Sequence, residues 1–78
     1  MREKKKYMII TFHTTTEAMA MEKSCNTNGI KGRLIPVPRE ISTGCGLAWR
    51  MDVCDFYSFK ENILQLDLRY DQIVELML

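Results

Sequence analysis

Pro36 and Pro38 stand one residue apart in the β-like segment Gly32-Arg33-Leu34-Ile35-Pro36-Val37-Pro38, and no other feature limits the fold of this chain as much. Proline has no N–H to give to a ladder, so the segment can be a strand only at the edge of a sheet. The centre of that sheet must come from elsewhere. Tyr7 to His13 is rich in β-branched and aromatic residues. Both of its alternating sets are at least partly apolar, Met8, Ile10 and Phe12 on one face and Tyr7, Ile9 and Thr11 on the other, as a central strand requires. Leu47 to Val53 alternates as a third strand, and Gln72 to Leu78 supplies a last one.

Two helical patterns separate these strands. Thr14 followed by Glu17 is a capping box, after which Ala18, Met21 and Cys25 share one face and the helix runs to about Asn28. Gly29 stands where a left-handed residue ends a helix. Ser58 with Glu61 forms a second capping box, and Phe59, Ile63, Leu66 and Tyr70 follow at the spacing of one helix face. Strand, helix, strand, strand, helix, strand is the order of an α+β, ferredoxin-like βαββαβ sandwich, a four-stranded antiparallel sheet with two helices on one face. Right-handed crossovers predict the strand order 4-1-3-2. The proline-bearing strand then falls at one edge and the apolar strand four at the other, where an uncovered edge invites a second copy and hence a homodimer.

With 78 residues the chain reads as a single domain, 1–78, whose residues 1–6 form a basic amino-terminal tail. A domain of this size buries only about 60% of the surface of its unfolded chain, too little to wall off a large active site. There is no repeat, low-complexity tract or linker. The net charge of +1 is far from the basic balance of a domain that neutralises several phosphates, so nucleic acid is not expected as a partner. The run Met8-Ile9-Ile10-Thr11-Phe12 is too short and broken for a signal peptide, and no stretch approaches the roughly 18 apolar residues of a membrane span. Three cysteines, an odd number, suit a reducing compartment and predict a cytoplasmic protein.

The topology sends three connections to one end of the sheet: His13 to Thr16, the loop holding Ser42-Thr43-Gly44-Cys45-Gly46, and Arg69 to Asp71. Cys45 is the position that reads as chemistry. Gly44 and Gly46 leave it without side-chain cover. The positive end of the first helix near Thr14, with Arg39 and help from Arg50, would favour its thiolate. His13 is placed to relay a proton, although a histidine there is more often structural. Cys25 reads as core, Cys54 has no local partner, and the methionines read as core filling. No cofactor and no metal are expected: cysteine pairs at zinc spacing are missing, as are a phosphate-binding glycine loop, a nucleophile elbow and paired catalytic carboxylates.

Four segments taken together, Ile9 to Thr15, Ala18 to Glu22, Gly32 to Arg39 and Ser42 to Ala48, resemble the selenium/sulfur (Se/S) carrier protein-like family of bacteria. The resemblance covers about Tyr7 to Trp49. It implies a carrier that holds sulfur or selenium as a persulfide or selenenylsulfide on Cys45. It also implies a cysteine desulfurase or selenocysteine lyase-type donor and an acceptor in selenium or thiolation metabolism. The family more often has serine before this cysteine where this chain has Gly44, which removes a hydroxyl that could contact the sulfur. Two other readings stand beside the carrier: a ferredoxin-like ligand-sensing or protein-interaction module, and a metal module using His13, Cys45 and Cys54.

Overall fold

The computed structural model describes residues 4–41, 46–66 and 68–78. Its elements run β1 (Lys6–Thr11), α1 (Thr15–Thr27), β2 (Arg33–Pro36), β3 (Leu47–Asp52), α2 (Val53–Gln65) and β4 (Ile73–Met77). The strands form one antiparallel sheet in the order β2-β3-β1-β4, the predicted 4-1-3-2 read from the other edge. Prolines explain the placement of β2: it pairs with β3 alone, from Arg33↔Arg50 to Pro36↔Leu47, and its far side needs no donors. β1 pairs on both sides, with β3 from Tyr7↔Asp52 to Thr11↔Ala48 and with β4 from Lys6↔Met77 to Ile10↔Ile73. Lys5 and Leu78 exchange two further backbone hydrogen bonds, so the ladder reaches into the basic amino-terminal residues.

Alternation then sorts the side chains. Met8, Ile10 and Phe12 of the β1 segment and Trp49 and Met51 of β3 join Ala18, Met21 and Cys25 of α1 and Phe56 and Ile63 of α2 in one core, so both helices cover the same face. The opposite face is not simply a wet one, because Ile9, Thr11 and Ala48 there are also fully buried. α1 ends as its composition demands. The Ile30 N–H donates to the Cys25 carbonyl and the Gly29 N–H to that of Asn26, a Schellman arrangement around Gly29 at φ +70°, with Ile30 buried beside it.

α2 departs from the expected boundary. It starts at Val53, directly after β3, and not at Ser58; it ends at Gln65, which leaves Tyr70 in the connection to β4. Burial of Phe56 explains the early start, because the first turn must already be helical for that ring to share the core with Ile63. Asp52 occupies the N-cap position but makes no side-chain cap bond, since its carboxylate is held by Lys5 at 3.1 Å.

Trp49 is the largest fully buried side chain, and its indole N–H finds no acceptor among the described residues. An unmet N–H costs about 1–3 kcal/mol. Burying 150–250 Å² of aromatic surface returns roughly 4–6 kcal/mol, so volume prevails over the lost hydrogen bond. The ring lies flush on the Gly32 backbone: a β-carbon there would sit 2.5 Å from Cε2 and 2.8 Å from Nε1 of the indole. Gly32→Ala should therefore destabilise the fold by about 1–3 kcal/mol through overpacking. Thermal melts with near-UV circular dichroism of the tryptophan check this, and an unchanged melting temperature would contradict the packing.

Candidate functional site

The site is built from the carboxy-terminal end of β1. Thr11, fully buried, ties this end to the start of β4 three times: its N–H donates to the Gln72 carbonyl at 2.8 Å, its carbonyl accepts from Asp71 N–H at 2.7 Å, and its hydroxyl accepts from Gln72 N–H at 3.0 Å. This clamp brings Asp71 up to His13. On the other side Thr14 caps α1, its hydroxyl accepting from Glu17 N–H at 3.2 Å. The reciprocal half of the capping box is shifted by one residue, for the Glu17 carboxylate takes the backbone N–H of His13, not of Thr14, at 2.8 Å.

His13 consequently has a carboxylate at each ring nitrogen: Glu17 Oε1 lies 3.3 Å from Nδ1 and Asp71 Oδ1 lies 3.5 Å from Nε2. The imidazole is exposed, whereas the Glu17 side chain is largely covered. The His13 backbone N–H holds the Glu17 carboxyl below its ordinary 4.5, the His13 ring and Thr14 backbone act in the same sense, and burial opposes them. Two carboxylates facing its nitrogens hold the imidazole in one orientation. The sequence pattern places His13 and Thr14 at this end of the sheet and Glu17 in the capping box, but it does not reveal Asp71 as a neighbour of the His13 ring. The Thr14-to-Glu17 spacing was the available signal for the first; the second depends on a contact 61 residues along the chain.

The connection from β2 to β3 leaves the sheet at this same end. Val37 N–H donates to the Gly46 carbonyl at 3.1 Å, and the Ile41 N–H closes a turn onto the Pro38 carbonyl at 3.0 Å, putting Arg39 at an exposed corner. Gly46 has φ +82°, a conformation that favours glycine. The β1–β3 register ends at Thr11↔Ala48, so His13 and Gly46 each lie two residues beyond the last pair. Ser42, Thr43, Gly44 and Cys45 lie outside the described residues, and with them the predicted carrier thiol. Arg50 does not serve this end: its guanidinium stacks 4.6 Å above the Tyr7 ring, toward the start of β1.

A family model described as "Putative Se/S carrier protein-like" matches residues 6–75, a span that includes the whole sheet-end cluster and the segment around Cys45. The chain belongs to this family. Neither a curated protein nor a solved structure matches it.

For a member of a Se/S carrier-like family, the remaining thiols define what else could take part. Cys25 is fully buried, its thiol donating to Met21 Sδ at 3.6 Å, and burial pushes its pKa up to about 11. Cys54 is exposed in the first turn of α2, past the far end of β3. His13 and Cys54 thus occupy opposite ends of the sheet, so the set His13, Cys45 and Cys54 is not brought together as metal ligands. Among the described residues no group of three metal-ligating side chains could hold an ion, and no helix is long and apolar enough to cross a membrane. Trp49 is core and not a contact surface, while Tyr57 is exposed.

Two outcomes follow from this geometry. Iodoacetamide at pH 8 should alkylate Cys54 in the native protein and leave Cys25 unlabelled until denaturant is added; peptide mass spectrometry reads both, and equal rates would contradict the burial of Cys25. Glu17 has a folded pKa below its unfolded one, so its stabilising contribution is complete above about pH 4.5 and is lost as pH falls through the lower folded value. Wild type should melt above Glu17→Gln at pH 7, and the gap should close on acidification through that window. A gap independent of pH would remove the carboxylate from the account.

Proposed function

We propose that this protein carries sulfur or selenium on Cys45 between a donor and an acceptor protein. Membership of the Se/S carrier-like family over residues 6–75 is the observation that carries the reading. The geometry of the other thiols supports it. Cys45 is one peptide bond from Gly46, and the six residues of β3 separate Gly46 from Cys54 by about 20 Å. Cys54 therefore lies at the far end of β3 from Gly46, and Cys25 is sealed in the core.

The transfer needs no cofactor and no net redox change. The Cys45 thiolate attacks the outer sulfur of a donor persulfide; the bond between the donor's two sulfurs breaks, and the donor cysteine leaves as a thiolate. Cys45 now holds the outer sulfur, and an acceptor thiolate attacks that atom and releases Cys45 as a thiolate. A selenium cargo follows the same two exchanges. His13, oriented by Glu17 and Asp71, is assigned the proton of the Cys45 thiol. A cysteine desulfurase or selenocysteine lyase-type enzyme is the donor class, and a cytoplasmic, reducing compartment suits an odd number of cysteines, three in this chain.

Intact and peptide mass spectrometry after incubation with a cysteine desulfurase and cysteine, and separately with a selenocysteine lyase-type enzyme and selenocysteine, whose active-site cysteine presents the atom already bound to sulfur, tests the assignment. A sulfur or selenium adduct confined to Cys45 and absent from Cys45→Ser is expected. An unmodified Cys45, beside a control carrier labelled in the same tube, would sink the reading.

A further inference from the structure

At the opposite end of the sheet lies a second cluster that the carrier reading does not use. Arg33 of β2 and Arg50 of β3 are direct partners in the β2–β3 register and so project from the same face. Like charges placed directly opposite each other weaken a strand pair, and neither guanidinium, nor the Lys31 ammonium beside them, has an ion-pair partner among the described residues. Arg50 is held in place by its stack on Tyr7. Tyr7, Lys31, Arg33, Arg50, Asp52 and Asp55 line a groove of about 240 Å³. Of its two carboxylates, Asp52 is already neutralised by Lys5 at 3.1 Å, which leaves three cations facing Asp55.

We propose that this groove is a binding site for a small phosphate-class oxyanion, gripped between the Arg33 and Arg50 guanidiniums with Lys31 at the rim. Guanidinium forks match tetrahedral oxyanions in geometry, and an anion between the two arginines removes the repulsion that the empty pair carries. A volume of about 240 Å³ in a groove open to solvent accommodates a bare phosphate or the phosphoryl end of a small ester. The site is independent of Cys45, which belongs to the other end of β3.

Titration of the ¹⁵N-labelled full chain with inorganic phosphate, against sodium chloride at equal ionic strength, tests the site. Saturable amide shifts confined to residues 31–33 and 50–52, with a dissociation constant on the order of millimolar, are expected. Arg33→Gln and Arg50→Gln should each weaken binding by about tenfold, as loss of one charge-assisted contact implies. Arg33 is exposed on an edge strand, so Arg33→Gln decides the matter should Arg50→Gln fail to fold. Non-saturating shifts, shifts reproduced by chloride, or an unchanged affinity in Arg33→Gln would overturn the proposal. None of these readouts involves sulfur transfer, so failure here leaves the carrier reading standing.

Discussion

β1 is hydrogen-bonded along both edges and buried on both faces, and the rest of the molecule depends on that double engagement. It sets the register of β3 and β4 at once, so each of its ends becomes a fixed point where two neighbouring strands turn. Thr11 shows how tightly this is done: its N–H, carbonyl and hydroxyl all engage the residues leading into β4. Moving β4 by one position would exchange its two faces and pull Asp71 away from His13 in the same step. The candidate site is therefore a by-product of sheet register as much as of its own residues.

Local rules are set aside in two places because a tertiary demand is larger. Trp49 leaves its indole N–H without an acceptor among the described residues, since a ring of that size between Gly32 and the helices contributes more than one hydrogen bond. Asp52 stands at the N-cap of α2 without capping it, its carboxylate drawn to Lys5 at the end of the β1–β3 pair. Both concessions fall on β3. This strand carries the tryptophan, the Arg50 stack and the start of α2 within six residues, and it cannot satisfy each one separately.

The features legible in the sequence are those whose cause is local. Pro36 lacks an N–H whatever surrounds it, so an edge position for β2 could be read directly. Thr14, Glu17 and Gly29 marked the two ends of α1 by their own backbone requirements. The start of α2 was not legible, because no capping hydroxyl marks it and Phe56 enters the core only once the sheet exists. In its place Ser58 and Glu61 offered a capping box inside what is a continuous helix. Arg50 was misdirected for a similar reason: alternation gives its face but not the Tyr7 ring on which it settles. The position of His13 and Thr14 at the end of β1 follows from local pattern, while the approach of Asp71 to His13 depends on the Thr11 clamp between residues far apart in sequence.

The His13 cluster adds little to the stability of the fold, and this bears on what it is for. Its imidazole is mostly in water, where solvent screens it from the carboxylates beside it. Two carboxylates on one exposed ring are poorly explained as a structural fastening, because Thr11 already holds the same strand ends together with buried hydrogen bonds. Their effect is directional: with a carboxylate at each nitrogen, the ring loses rotational freedom and its two nitrogens keep fixed positions. A fold this small has little interior in which to enclose a reaction, and groups on its surface act best when they are oriented in advance. An oriented imidazole at the end of the sheet where the β2–β3 connection returns through Gly46 meets that requirement.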